Sequence, residues 1–362
     1  MKPIHAVTGA LGYSGRAIAE RLVARGCLVR TLTNSPGRPN PFGEDLEIRP
    51  LRFDRADELV GSLRGAEVLF NTYWVRFNYA GRSRGQCVRF SHVEAVANTK
   101  ALFEAAKAAG VRRVVHVSIL NPRGIDADVV GLRRPPPTSL RSATSPVGNG
   151  GGEGGDLVRR SPSEALASRL SYYAGKAELE DALRETGVSQ AILRPGVLFG
   201  RHDILVNNIA WVLRHLPVFG LFGGGRYGIR PMHVDDFADL AVRVAFEDTD
   251  TVTDAVGPER FEFGELVRRI AGLIGVRRAI VPVPEWTGVI ASAVLGPLLH
   301  DVVLTRDEIA ALTAGFLDSR AGSTGRIRLT DWVGEHADTL GRLYHSELRR
   351  RRDTSFGYTA TA

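Results

Sequence analysis

The sequence has only two cysteines, Cys27 and Cys87, among its 362 residues. Two cysteines cannot form a disulfide framework, and their spacing matches no metal-binding motif. We therefore expect a reducing compartment such as the cytoplasm, and no metal site. The longest apolar stretch, Trp286–Leu299, is interrupted by glycine and proline, and it is shorter than the ~20 residues of a membrane-spanning helix. No signal peptide is expected, because the first residues already have the pattern of a strand.

Acidic residues are fewer than basic ones: 40 Asp and Glu stand against 47 Lys and Arg, a net charge of +7. The basic residues are spread along the chain, with one cluster at Arg349–Arg352. No nucleic-acid-binding motif accompanies them, so we expect no nucleic-acid partner. A phosphate-bearing ligand would also favour basic residues. We interpret residues 346–362 as a solvated basic tail, with contact to acidic lipid or a protein partner as the alternative.

A glycine-rich turn follows the first apolar segment. Ile4–Thr8 has a strand pattern, the turn contains Gly9, Gly12 and Gly15, and a helix pattern begins at Arg16. The first glycine permits a tight turn, the second lets the backbone approach a phosphate, and the third allows the helix to pack closely on the strand. The free N–H groups and positive dipole end of that helix favour an anion, so the turn predicts a dinucleotide pyrophosphate site. A plain strand–turn–helix unit is the alternative.

Strand and helix patterns alternate through the first 200 residues. This alternation predicts a parallel sheet covered by helices on both faces, a doubly wound α/β fold of the Rossmann type. We expect a dinucleotide-binding domain over 1–200 and a smaller, mainly helical substrate-side lobe over 201–345, partly interleaved with it. The predicted strands are Ile4–Thr8, Leu28–Thr33, Ile48–Phe53, Val68–Asn71, Val114–Ser118 and Gln190–Arg194.

Residues 123–168 interrupt this alternation. The segment contains Pro135–Pro137 and a glycine-rich stretch at 148–155. Such a composition cannot bury enough apolar surface to offset its ordering entropy. We predict a flexible insertion in the dinucleotide-binding domain, with a lid over the active site as the alternative.

Three side chains suggest proton-transfer chemistry. Tyr172 and Lys176 are four residues apart in a predicted helix, so they share one face. A nearby ammonium lowers the pKa of a phenol, and such a tyrosine can transfer a proton while hydride moves to or from a nicotinamide. Ser118 ends a strand at the edge where ligands bind, so its hydroxyl could contact the same substrate oxygen. A structural role at the strand end is the alternative for Ser118.

Together, Thr8-Gly9-x-x-Gly12-x-x-Gly15, Ser118 and Tyr172-x-x-x-Lys176 resemble the short-chain dehydrogenase/reductase superfamily, in its extended and atypical branches. More closely, the chain resembles the group of the nucleotide-binding accessory subunit of respiratory complex I and its bacterial epimerase/dehydratase-like relatives. That impression depends on Val117–Pro122, Ile204–Trp211 and Thr330–Trp332. The resemblance implies that Ser118, Tyr172 and Lys176 form a catalytic triad and that Asp54 lies near the adenine.

The choice of nicotinamide cofactor depends on the residues after the second strand. An acidic residue there normally binds the ribose hydroxyls of NAD, but none occurs between Glu20 and Glu44. Polar and basic groups stand there instead and could bind a 2′-phosphate. We therefore favour NADP(H) over NAD(H). The residues expected to bind the cofactor are Gly9, Leu11, Gly12, Tyr13, Gly15, Arg16, Thr33, Asn34, Arg38, Asp54 and Pro195.

These observations favour an NAD(P)-dependent oxidoreductase that acts on a small carbonyl, alcohol or quinone-like substrate. One alternative is a non-catalytic NADPH-binding accessory or assembly protein related to the complex I subunit. A second is a sugar-nucleotide epimerase or dehydratase. The expected location is the cytoplasm, with association with the respiratory chain or the inner-membrane surface as a further alternative.

Overall fold

A computed structural model describes residues 2–83, 86–125 and 161–353. The first two ranges contain β1 (Ile4–Thr8), α1 (Tyr13–Ala24), β2 (Leu28–Thr33), β3 (Leu46–Pro50), α2 (Ala56–Leu63), β4 (Val68–Asn71), β5 (Tyr79–Ser83), β6 (Gln86–Phe90), α3 (His92–Ala108) and β7 (Arg113–Val117). Three of the predicted strands, β1, β2 and β4, have the predicted bounds. The helix predicted from Arg16 begins earlier, at Tyr13, and so includes Gly15.

The third range contains the rest of the sheet and a second group of helices. Its elements are α4 (Pro162–Arg169), α5 (Ser171–Thr186), β8 (Ser189–Pro195), β9 (Val197–Phe199), α6 (Leu205–His215), β10 (Val218–Phe222), β11 (Gly228–Ile229), β12 (Pro231–His233), α7 (Val234–Ala245), β13 (Thr251–Ala255), β14 (Phe261–Glu262), α8 (Phe263–Leu273), β15 (Ala279–Val283), α9 (Glu285–Leu299), α10 (Arg306–Thr313), α11 (Leu329–Glu335) and α12 (Glu347–Arg352).

Seven strands form one parallel sheet in the order β13-β8-β7-β4-β1-β2-β3. Helices α1 and α7 pack on one face, and α2, α3 and α5 pack on the other. From β1 the chain adds β2 and β3 on one side and β4, β7, β8 and β13 on the other, so the strand order switches between β1 and β4. At such a switch point a crevice opens beyond the carboxyl ends of the two strands. The predicted α/β doubly wound fold of the Rossmann type is confirmed.

A second apolar core lies outside the sheet. It combines α6, α8 and α11 with short strands, around Phe199, Leu213, Leu266 and Trp332. Helix α7 and strand β13 return to the main sheet, so this lobe is interleaved with the Rossmann domain. Among the described residues, no helix is long and apolar enough to cross a membrane. Helix α9, which contains the longest apolar stretch, leaves Trp286 64% exposed.

The end of the predicted insertion differs from expectation. Residues 126–160 lie outside the described residues, but 162–169 form helix α4. Ser161 and Glu164 build a capping box there, in which each side chain accepts a hydrogen bond from the other residue's backbone N–H, and Pro162 occupies the first turn. These local signals fix a helix start that apolar periodicity alone does not reveal.

The interpretation of 346–353 as a solvated tail is wrong. Helix α12 packs against the protein, with Leu348 and Arg350 both buried. The Asp301 carboxylate accepts hydrogen bonds from the N–H groups of Glu347 and Leu348 and so satisfies the start of this helix. Residues 354–362 lie outside the described part of the chain.

Candidate active site

One large cleft of about 1490 Å³ opens at the carboxyl edge of the sheet. One end is formed by the glycine turn and the residues after β2, and the middle by the aromatic segment Tyr73–Phe77 after β4. The far side is formed by α10 and α12. The cleft therefore runs from the predicted phosphate site to an aromatic pocket.

The glycine turn has the geometry of a pyrophosphate cradle. Gly9 has a φ of +71°, which favours glycine. A Cβ on Gly12 would lie 3.1 Å from the carbonyl oxygen of Gly9, and a Cβ on Gly15 would overlap that same oxygen. Within the described ranges, no side chain caps the start of α1, and the residues of this start, from Gly12 to Gly15, line the cleft. These residues fit a dinucleotide.

Most of the residues predicted to bind the cofactor line this cleft, and three do not. Those that line it are Gly9, Leu11, Gly12, Tyr13, Gly15, Thr33, Asn34 and Arg38. Arg16 instead forms an ion pair with Glu20 at 2.8 Å. Asp54 accepts two hydrogen bonds of 3.0 Å from Arg52 and faces solvent. Pro195 ends β8, where its carbonyl accepts the N–H of Leu120.

Tyr172 lines the cleft and is surrounded by other rings. Its ring centroid lies 5.5 Å from that of Trp74 and 5.6 Å from that of His92, both in edge-to-face geometry. Burial, and then the Glu308 carboxylate, raise the pKa of Tyr172 above that of an ordinary phenol. This direction is opposite to the predicted lowering of the pKa. Tyr172 therefore keeps its proton at neutral pH.

Lys176 is buried beneath the cleft and does not line it. Its Nζ donates a 2.6 Å hydrogen bond to the carbonyl of Val117 and lies 4.4 Å from the centroid of the Trp74 ring. Burial lowers the pKa of Lys176 to about 7. In the part of the chain that the structure describes, no hydrogen bond joins Lys176 to Tyr172, and Trp74 contacts both.

Ser118 is also turned away from the cleft. Its hydroxyl donates a 2.7 Å hydrogen bond to the Glu180 carboxylate, which is fully buried. Arg194 binds the same carboxylate through two hydrogen bonds, of 2.8 and 2.6 Å. A buried carboxylate needs such donors, so Ser118 has a structural partner here. Within the described residues, no hydrogen bond joins Ser118, Tyr172 and Lys176 to one another, and of the three only Tyr172 lines the cleft.

The pKa of Lys176 leads to a test by stability. The folded chain gives up the Lys176 proton at about pH 7, whereas the unfolded chain keeps it up to its ordinary pKa of 10.5. Between these values the unfolded state binds one proton more, so the free energy of unfolding rises with pH. We expect Lys176→Met to remove this rise. Urea denaturation at about pH 7 and about pH 10 measures it.

The control for that test is Lys100→Met, because Lys100 is a surface residue that pairs with Glu178. The Lys100 variant is expected to keep the pH dependence of the wild type. If Lys176→Met kept it as well, Lys176 would be an ordinary charged lysine in the folded state.

Two ion pairs beside Tyr172 were not found from the sequence. Arg76 pairs with Glu308 of α10, and Arg351 pairs with Glu347 within α12. All four charged groups act on the Tyr172 phenol. Arg76 lies in the aromatic segment that the sequence shows after β4, but nothing in the sequence pairs it with a residue more than 200 positions away.

The family comparison agrees with the geometry of the glycine turn. Residues 9–134 match a family described as NAD(P)H-binding. The matched range begins at Gly9, so the family model and the predicted dinucleotide site fall on the same part of the chain. No curated protein matches the sequence at a significant level.

Several solved structures share the fold of this chain. An NADPH-dependent quinone oxidoreductase from Escherichia coli, complexed with NADPH, is 18% identical with a TM-score of 0.63, over 93% of this chain and 99% of its own. A triphenylmethane reductase from Citrobacter sp. is 13% identical with a TM-score of 0.65, over 93% and 100%. A nucleoside-diphosphate-sugar epimerase from Staphylococcus aureus is 12% identical with a TM-score of 0.65, over 92% and 99%. At these identities the likeness shows the fold, and the complex I grouping is not confirmed.

Proposed function

We propose that this protein is an NADP(H)-dependent oxidoreductase that reduces a flat, quinone-like acceptor. The observation that carries the proposal is the continuity of the cleft from the glycine turn to an aromatic pocket with the Tyr172 phenol on its wall. Flat aromatic walls favour a planar conjugated ligand. The Escherichia coli quinone oxidoreductase and the dye reductase, which share the fold, support the choice of a planar conjugated acceptor.

When bound, NADPH would supply the hydride. The glycine turn and the start of α1 would bind the pyrophosphate, and the aromatic segment after β4 would line the middle of the cleft beside the acceptor. Tyr172 keeps its proton because burial raises its pKa, so its hydroxyl donates a hydrogen bond to a carbonyl oxygen of the acceptor. That bond polarises the carbonyl. The acceptor gains one hydride and one proton, and the proton comes from solvent through the open cleft.

This proposal does not need the full triad. Lys176 is held by the Val117 carbonyl, and Ser118 is held by Glu180. A quinone-like acceptor is already electrophilic, so one hydrogen-bond donor serves where a less reactive carbonyl would need a proton relay. The sugar-nucleotide epimerase alternative has no observation of its own beyond the shared fold.

The second candidate function is a non-catalytic nucleotide-binding protein. The same contacts of Lys176 and Ser118 favour it, since they withdraw two of the three expected catalytic groups from the cleft. Purification followed by analysis of bound nucleotide, and then NADPH oxidation over a panel of quinones, carbonyls and sugar nucleotides, separates the two. Bound NADPH without turnover of any substrate would favour the accessory role.

The preference for NADP(H) is tested at Arg38. This side chain lines the cleft near Asn34 and Ser35, and the described cleft residues from β1 to β3 include no carboxylate. We expect Arg38→Ala to weaken NADPH binding by about tenfold and to leave NADH binding unchanged, because one charge-assisted hydrogen bond is lost. Titration calorimetry with both nucleotides measures the effect. The control is Arg49→Ala, an exposed arginine of β3 outside the cleft, and equal losses for NADPH and NADH would refute the assignment.

A further inference from the structure

Residues 341–353, called here the C-terminal strap, bind first to the helical lobe. The side chain of Asn207 in α6 accepts the N–H of Gly341 and donates to the carbonyl of Leu343. The side chain of Asn208 forms two hydrogen bonds with the backbone of His345, at 3.0 and 2.9 Å. These paired contacts fix the path of the strap before α12 begins.

The buried carboxylate of Asp301 fixes the next part of the strap. It accepts hydrogen bonds of 3.0 Å from the Tyr344 hydroxyl and from the backbone N–H groups of Glu347 and Leu348. Each of these contacts bonds a charged acceptor to a group of the strap, so they are among its stronger hydrogen bonds. Asp301 therefore sets where α12 starts and which way its side chains face.

The far end of the strap reaches the NAD(P)H-binding domain. Arg38 donates a 2.6 Å hydrogen bond to the carbonyl oxygen of Arg350. The Arg350 guanidinium donates to the carbonyl of His202. Both Arg38 and Arg350 line the cleft, and 312 residues separate them along the chain. The strap thus spans from the helical lobe to the end of the cleft where the adenosine of the cofactor is expected.

Arg38 and Arg350 place two guanidinium charges at this corner of the cleft. Burial, followed by the charges of Arg350, His345, Arg201 and Arg16, lowers the pKa of His202 to about 4. Arg16 is neutralised by Glu20, and Arg351 by Glu347. The Arg350 carbonyl also limits the rotation of the Arg38 guanidinium, so that side chain is already oriented before a ligand arrives.

We propose that the C-terminal strap is part of the nucleotide site, and that Arg350 together with Arg38 binds the 2′-phosphate of NADP(H). This inference depends on the proposed NADP(H) preference and adds a second arginine from the opposite end of the chain. Arg38 supplies hydrogen bonds from one side. Arg350 supplies a second positive charge and, through its carbonyl, positions Arg38.

Three variants of the full chain test the strap. Arg350→Gln removes the charge, and Asp301→Asn weakens the anchor of α12 without altering any arginine. Arg349→Gln is the matched control, because Arg349 is exposed on the same helix and does not line the cleft. We expect Arg350→Gln to weaken NADPH binding by about 10- to 100-fold, with NADH binding unchanged. Calorimetric titration with each nucleotide provides the readout, and circular dichroism checks that each variant is folded.

The outcomes distinguish this inference from the proposed function. The strap is supported as part of the nucleotide site if Arg350→Gln loses NADPH affinity selectively, Asp301→Asn shows a smaller selective loss, and Arg349→Gln shows none. If Arg350→Gln does not fold, the affinities of Asp301→Asn for NADPH and NADH alone test whether the strap is part of the nucleotide site. If the wild type prefers NADPH and the folded variants keep that preference, the strap is not part of the nucleotide site, and the proposed function is unaffected. A wild type that binds NADPH and NADH equally overturns both the cofactor preference and this inference.

Discussion

Replacement of Gly15 by alanine is expected to abolish measurable NADPH binding. The new Cβ would overlap the carbonyl oxygen of Gly9, a backbone atom that cannot rotate away. To relieve the overlap, α1 must move off β1, and its first N–H groups then no longer converge on the pyrophosphate. Forced packing of this kind costs about 3 kcal/mol, which is more than a 100-fold loss of affinity.

Gly61→Ala is the control for that substitution. Gly61 lies inside α2, and a Cβ there meets nothing within 4 Å. Because alanine is a better helix former, this variant is expected to gain about 1 kcal/mol in the free energy of unfolding and to bind NADPH as the wild type does. Calorimetry and urea denaturation of both variants make the comparison. NADPH binding by a folded Gly15→Ala variant at wild-type affinity would show that the phosphates lie elsewhere.

Replacement of Tyr172 by phenylalanine is expected to lower kcat for a quinone by about 100-fold while KM changes little. The phenol lies on the cleft wall and keeps its proton, and in the proposed mechanism it donates a hydrogen bond to the acceptor oxygen as negative charge develops there. The ring contacts with Trp74 and His92 are retained by phenylalanine, so binding of the acceptor persists. Steady-state kinetics at saturating NADPH separates kcat from KM.

Ser118→Ala is the informative companion to Tyr172→Phe. In a triad, loss of Ser118 would lower kcat about as strongly as loss of Tyr172. In this structure Ser118 donates to Glu180, so Ser118→Ala is expected to lower the free energy of unfolding by about 1–3 kcal/mol, with kcat nearly unchanged. A large fall in kcat for Ser118→Ala, with wild-type stability, would restore the triad and contradict the mechanism proposed here.

Local sequence signals predicted the elements that build the phosphate end of the site. Strand bounds at Ile4–Thr8 and Leu28–Thr33 follow from short apolar runs that end at glycine or polar residues. The glycines of the turn indicate close approach of backbone to backbone, which the overlap between a Gly15 Cβ and the Gly9 carbonyl confirms. These features depend on neighbouring residues, so a single sequence is enough to show them.

The partners of the buried polar groups could not be predicted in the same way. The spacing of Tyr172 and Lys176 shows that they share a helix face, but the Lys176 amine bonds to Val117, 59 residues earlier. The Ser118 hydroxyl bonds to Glu180, 62 residues away. Such pairs are selected by the requirement that buried polar groups be satisfied, which depends on the assembled fold.

The C-terminal strap shows the same limit on a larger scale. Four consecutive arginines suggest a solvated segment, because charged runs usually face water. What places α12 on the cleft is the Asp301 carboxylate and the side chains of Asn207 and Asn208. Their role appears only when α6, the segment after α9 and the strap are brought together.

A single-turnover reaction tests the proposed hydride transfer most directly. Purified protein loaded with NADPH is mixed with a soluble quinone, and the absorbance of the reduced nicotinamide is followed in time. We expect the wild type to lose this absorbance in proportion to the NADPH bound and Tyr172→Phe to lose it about 100-fold more slowly. An absorbance that stays constant while NADPH remains bound would contradict hydride transfer and identify the cleft as a site that holds its nucleotide without reacting.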